Sequence, residues 1–226
     1  MSNVFFKFPS TPHLAHIEGV DIRADKIMSE AERMAFFRHE IVVEEKIDGA
    51  NLGISFEQDG MLRVQNRGAY LSAPRGGQWK KLDAWFTPRR DVLFSFLADR
   101  FILFGEWCYA KHSIGYDRLP DWFLGFDVYD RQAQKFFASN KRNALLEKAG
   151  IAQVPELASG RFTYGDIKNM LTRSKFASQA AEGVYLRADM GEWLVWRAKF
   201  LRPAFVQSLE QHWSRSSITP NRLCAW

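Results

Sequence analysis

Along the chain, short apolar runs and amphipathic stretches alternate without a regular strand–helix–strand rhythm. Residues 26–38, KIMSEAERMAFFR, set Ile27, Met28, Ala31, Met34 and Ala35 at three- and four-residue spacing and predict a helix. Three strands are expected next: IVVEEKI, LGISFEQ and MLRVQNR, the last two joined across the hairpin signal Asp59-Gly60. QWKKLDAWF and RDVLFSFLAD read as helices on either side of Pro88. RFILFGEW and FLGFDVYD read as buried strands separated by a polar loop. SNKRNALLEKAG predicts a helix with Ser139 as its N-cap and Gly150 as its stop. DIKNMLTRS is expected to be helical, EGVYLRA and EWLVWRAKF extended, and PAFVQSLEQHW helical again. The pattern describes one α+β domain over residues 1–226, with antiparallel sheets flanked by helices.

Composition narrows this picture modestly. Apolar residues make up 46% of the 226 and aromatics 15%, enough for a substantial core. No apolar run reaches the ~18 residues of a membrane span, and the first residues lack the pattern of a signal peptide. Cys108 and Cys224 stand far apart and in no metal-binding spacing, which points to a reducing, cytoplasmic setting. His13 and His112 have no second ligand at metal spacing. A net charge of +5 suits a phosphate-rich partner and equally an ordinary solvated surface. Lys80-Lys81 and Arg89-Arg90 read either as a solvated helix face or as a track for a nucleic-acid backbone. Trp79, Trp85, Trp107 and Trp122 are expected in the core.

The chemistry gathers at strand ends. Lys46-Ile47-Asp48-Gly49 closes the first strand, and Arg67, Gly105-Glu106, Phe126-Asp127, Glu182-Gly183 and Arg197-Ala198-Lys199 follow in that order. Together, over residues 41–205, these segments resemble the covalent nucleotidyltransferase superfamily of ATP-dependent RNA and DNA ligases and mRNA-capping enzymes, and look closest to its RNA ligases. KIDGAN is similar to the nucleophile motif, FGEW to the ribose motif, FLGFDVYD to the base-stacking motif, EGVYLR to the metal-associated glutamate motif and WRAKF to the phosphate-binding lysine motif.

The resemblance implies an ATP-grasp-like adenylyltransferase fold. It also implies ATP as substrate and magnesium, or manganese in its place, as the metal. Lys46 would be the nucleophile, Glu45 would meet the adenine edge with its backbone, and Glu106 would accept from ribose. Phe126 and Val184 would enclose the base, Arg67 would meet ribose or phosphate, and Glu182, with Asn51 acting through water, would hold the metal. Taken alone, Phe126 reads equally as core packing, and Glu106 as a surface ion pair.

Apart from any resemblance, a nucleophilic lysine must lose a proton that free lysine holds to about pH 10.4. Bringing that value to ~7–8 takes about 4 kcal/mol, which nearby cations would supply. Arg197 and Lys199, sharing one strand face, are the expected cations. Strand alternation places Glu44 with Lys46 and Glu45 opposite. Gly49 is expected to let the chain turn tightly where phosphate backs onto it. The first position of the last motif departs from the superfamily's usual lysine, being Arg197. The short stretch beyond Lys199 is expected to hold no oligonucleotide-binding barrel, so that the chain would be a stand-alone nucleotidyltransferase domain.

These readings converge on an RNA ligase joining 5′-phosphate and 3′-hydroxyl ends through a lysyl-AMP, with RNA as partner and an end-healing kinase or phosphatase upstream. The alternatives are a minimal DNA nick ligase and a nucleic-acid-binding module that retains an idle nucleotide pocket.

Overall fold

The computed structural model describes residues 5–16, 23–171, 173–203, 205 and 218–224. Two antiparallel sheets form its frame. The first has the order β7 (Glu156–Gly160), β1 (Ile41–Lys46), β8 (Gly183–Met190), β9 (Trp193–Leu201). The second runs β3 (Leu62–Gln65), β2 (Ala50–Phe56), β4 (Phe101–Trp107), β5 (Phe123–Asp130), β6 (Lys135–Phe136). The expected α+β architecture with antiparallel sheets is the observed one.

β1 ends in one sheet at Lys46 and β2 begins in the other at Ala50, so residues 47–49 are the crossover between them. Gly49 belongs there for lack of room. A Cβ on it would lie 2.9 Å from the Trp107 carbonyl oxygen and 3.1 Å from Cys108 Sγ. The glycine expected to let the chain turn tightly where a phosphate backs onto it also packs closely against the end of β4.

Helices α2 (Leu82–Phe86), α3 (Arg90–Leu97) and α4 (Ser139–Lys148) share a core with the second sheet, in which Trp85, Leu93, Leu97 and Leu146 join Leu52, Ile54, Leu103 and Phe123. The first sheet is covered by α1 (Glu30–Phe36) and α5 (Tyr164–Asn169), where Phe36 and Ile167 pack with Ile41, Val43 and Leu186. Burying such apolar side chains supplies the main driving force for the fold, about 25 cal/mol per Å².

Helix ends differ from expectation for local reasons. α1 begins at Glu30 rather than Lys26 because Ser29 and Glu32 form a capping box, which overrides the longer apolar pattern. α5 begins at Tyr164 because Thr163 and Asp166 form another. Ala138, not Ser139, is the N-cap of α4: Asp189 accepts both the Ser139 amide and hydroxyl, each at 2.7 Å. Gly150, with φ +63°, ends that helix as expected. The helix expected over residues 203–213 lies almost wholly outside the described residues. Among those residues no helix is long and apolar enough to cross a membrane.

Candidate active site

Strand register assembles the site. Lys46 on β1 pairs with Gly183 on β8, Tyr185 on β8 with Lys199 on β9, and Asn51 on β2 with Glu106 on β4. Paired residues point to the same face of a sheet, so residues far apart in the chain converge on one cleft. The cleft, about 590 Å³ including its solvent-open mouth, is bordered by Glu45, Lys46, Asn51, Arg67, Glu106, Phe126, Tyr185 and Lys199. Phe8, Ser10 and Thr11 from the N-terminal segment close one side. Lys46, Asn51, Arg67 and Glu106 also border a second, more open cleft with Asp48, Asn66, Gln78, Trp79 and Glu182. Lys46 therefore stands at the wall common to both.

The β1 alternation holds. Glu44 borders the cleft beside Lys46, whereas the Glu45 carboxylate turns to the Ser174 hydroxyl and the Lys175 amide. Lys46 Nζ donates to Glu182 Oε2 at 2.9 Å. The crossover is gripped from its other side: Asp48 Oδ2 accepts from the amides of Ser113 and Ile114, and the Asp48 amide donates to the Tyr116 hydroxyl at 2.7 Å.

The charges are arranged differently from the expectation. Burial pulls the Lys46 amine down, but Glu182 and Glu106 outweigh it and leave the value above that of an ordinary lysine. The amine with a depressed value is Lys199, lowered to about 8 by burial and by repulsion from Lys46. Burial raises Glu106 to about 8 and Glu182 to about 7, with Lys46 opposing both shifts.

Two assigned roles are corrected. Val184 packs its side chain into the core behind the first sheet, beside Val43 and Leu186, so it cannot face a ligand in the cleft. Its neighbour Tyr185 borders the cleft instead. Period two counted from Gly183, the register partner of Lys46, would have located it. Arg197 does not border either cleft. Its guanidinium donates to Asp127 at 3.3 Å and lies 4.1 Å over the Phe136 ring and 5.2 Å over Phe8. It supports the wall of the cleft and is not the cation flanking Lys46.

Phe126 borders the cleft and is fixed there from two sides. Its carbonyl accepts from Arg142 at 2.6 Å and from Arg187 at 3.2 Å, while Phe8 packs edge-on at 5.3 Å between centroids. Both arginines are buried and compensated, Arg142 by Glu44 and Arg187 by Asp127. Nothing in the local sequence of Phe8, Arg142 or Arg187 marks them, because their part depends on contacts across the two sheets. Trp85 and Trp107 are core residues as expected, and Trp79 and Trp122 are partly buried against that core, with Trp79 also bordering the second cleft. Of the basic pairs, Arg89 is tied to Asp121 and stacked on Trp85, and Lys80 lies over Tyr109.

Asn51 Oδ1 and Glu106 Oε2 are buried without a hydrogen-bond partner. Such orphaned acceptors are costly unless a ligand satisfies them. Among the described residues no three His, Cys, Asp or Glu side chains are grouped to grip a bare ion. Asn51 and Glu182 suit a divalent cation that keeps most of its water, as magnesium does.

The chain matches the RNA ligase family over residues 39–201. A search of curated proteins found no match. Among solved structures, it is similar to an RNA ligase of Naegleria gruberi. A lysine-to-alanine variant of that enzyme with ATP and manganese aligns with a TM-score of 0.61 and 18% identity over 75% of this chain. Its complex with pyrophosphate aligns at 0.61 and 19% over 77%, and a glutamate-to-alanine variant with AMP and manganese at 0.61 and 18% over 77%. The chain spans about half the length of these structures, 52–53%. Because the family match covers most of its residues, the chain belongs to the RNA ligase family.

Proposed function

We propose that the chain is an ATP-dependent RNA ligase that works through an adenylate on Lys46. The observation that carries this reading is the placement of Lys46. It stands between a cleft with unsatisfied acceptors for a nucleotide and an open cleft able to admit polynucleotide ends, and its amine is 2.9 Å from Glu182.

In the closed cleft, Phe126 and Tyr185 border the place for adenine, a stacking contact of about 1–3 kcal/mol in nucleic-acid sites. Glu45 lies at its edge. Glu106 and Asn51 offer their free oxygens to ribose hydroxyls and metal-bound water, and Lys199 and Arg67 meet the phosphates. Lys46 Nζ attacks the α-phosphorus: the N–P bond forms, the bond to the β-phosphate oxygen breaks, and pyrophosphate leaves. Glu182, with Asn51 acting through water, would hold a magnesium ion, which would supply neutralisation of the phosphate charge.

Without Glu182 as its partner, Lys46 loses its main hold on the proton, and burial and the Lys199 cation, which favour the neutral amine, are opposed by Glu106 and Asp48 alone. The resting ion pair thus keeps the amine protonated, and once Glu182 is withdrawn the amine passes its proton to solvent water before it attacks. Across the open cleft, AMP passes to a 5′-phosphate, and a 3′-hydroxyl then attacks that end and releases AMP. Ends of this kind imply an upstream kinase or phosphatase that makes them. The free thiols of Cys108 and Cys224 accord with the cytoplasm.

With magnesium and ATP labelled on its α-phosphate, the wild-type chain is expected to retain label after denaturation. Lys46→Ala should retain none. Label persisting on that variant would place the nucleophile elsewhere and remove the basis of the proposal.

A further inference from the structure

The segment 218–224 returns to the site from the far end of the chain. Asn221 is 5% exposed, and its side chain is fully engaged. Nδ2 donates to the carbonyls of Cys108 at 2.8 Å and Ala110 at 3.2 Å, and Oδ1 accepts from the Tyr116 amide at 2.8 Å. Its backbone amide donates to Tyr109, and the next residue, Arg222, donates to the Tyr116 carbonyl. Lys111 donates to the Thr219 carbonyl, and Leu119 donates to the Arg222 carbonyl and accepts from the Cys224 amide. One asparagine therefore ties together both limbs of the loop 108–116.

That loop grips the crossover. Through Ser113, Ile114 and Tyr116 it holds the Asp48 carboxylate and amide, and Cys108 sets the floor against which Gly49 packs. His112 of the loop also meets the Gln78 side chain at 2.9 Å, in the wall of the open cleft. Asp48 is two residues from Lys46 and contributes to its electrostatic surroundings.

A buried asparagine is costly unless every polar atom is paired. Here each of its bonds falls on the one loop that holds the nucleophile's turn. We infer that the segment 218–224 is a clasp for the Lys46–Gly49 turn and that Asn221 is a positioning residue for Lys46, acting through Tyr116 and Asp48. In so far as it concerns catalysis, this rests on the reading of Lys46 as the nucleophile. The adenine side of the cleft, around Phe126 and Tyr185, is built from other strands, so the clasp should govern the rate of attack rather than the affinity for ATP.

The experiment compares Asn221→Ala and Tyr116→Phe with the wild-type chain, measuring adenylate formation against ATP concentration per folded molecule. As a second readout, it follows the acetylation rate of Lys46 by acetic anhydride in the absence of nucleotide, detected by mass spectrometry. Both variants should lose kcat on the order of tenfold or more with KM for ATP unchanged, because a small misplacement of the attacking group is enough. Lys46 should acetylate faster in both. A merely structural role would lower melting temperature while leaving kcat per folded molecule and the acetylation rate at wild-type values, and that result overturns the clasp. If Asn221→Ala does not fold, Tyr116→Phe, which keeps the ring and loses only the hydroxyl, decides by the same criteria. A wild-type chain that forms no adenylate refutes the ligase reading instead. Lys46 acetylation then decides the clasp alone: faster in the variants supports it, and unchanged overturns it.

Discussion

Glu106 shows how one residue can be costly to the fold and useful to the site. It sits beside Lys46 with one oxygen unpaired, and burial raises its carboxyl from the ordinary 4.5 to about 8. The unfolded chain releases this proton near 4.5 and the folded protein near 8, so the folded state holds more protons throughout that window. Stability from this group is complete below the lower value and is lost as pH rises through the upper one. Glu106→Gln removes the ionisation. The ligand-free variant should unfold like the wild type at about pH 5 and be more stable by roughly 2–4 kcal/mol at about pH 8, as urea titrations would measure. It should also discriminate less between ATP and deoxyATP. A variant no more stable at the higher pH would show that the wild-type carboxylate is accommodated without strain. The same residue scale explains Val184 and Tyr185, where a shift of one position along a strand exchanges core for cleft.

Between elements, the joint that matters is that between the two sheets. Arg142 on α4 reaches Glu44 on β1 and the Phe126 carbonyl on β5, and Arg187 on β8 reaches Asp127 and the same carbonyl. Both arginines are essentially inaccessible to solvent. Removing one partner of such a pair leaves an uncompensated buried charge. Arg142→Ala is therefore expected to cost about 3–5 kcal/mol in chemical denaturation and to weaken ATP binding by freeing Phe126. Adding Glu44→Gln should restore part of the stability but not the affinity. A single-variant cost below about 1 kcal/mol would mean that water replaces the arginine and that the joint is not a strut.

For the molecule as a whole, the proposed function raises the question of which ends the chain would join. The open cleft beside Lys46 is framed by Asn66, Gln78 and Trp79, and the chain carries a net charge of +5. Binding to a nicked duplex should accordingly weaken steeply with salt. Contacts at the reacting ends can supply selection, because a ribose 2′-hydroxyl is both donor and acceptor and distinguishes RNA from DNA. Nicked duplexes differing only in the sugars on the 3′-hydroxyl side should be sealed efficiently when those are ribonucleotides, whichever nucleic acid carries the 5′-phosphate. Equal rates for ribose and deoxyribose ends would favour a DNA nick ligase.

Strand periodicity and the order of short motifs determined much of this without coordinates. β1, β4, β5, β8 and β9 lie where alternating or continuous apolar runs place them, and Lys46, Asn51, Glu106, Phe126 and Lys199 do meet at one cleft. The strands are properties of local steric preference, carried by a few neighbouring residues, whereas the grouping of the site residues followed from the resemblance of their motifs to the nucleotidyltransferase superfamily. Only the tertiary structure decided that Tyr185 rather than Val184 faces the cleft, that Arg197 is spent on Asp127, and that Lys46 rests as an ion pair with Glu182. Those outcomes depend on strand register, on burial and on charges brought together across the fold. The contribution of Asn221 to the turn after Lys46 likewise arises only when residues far apart in the chain, 48, 108–116 and 221, are folded into contact.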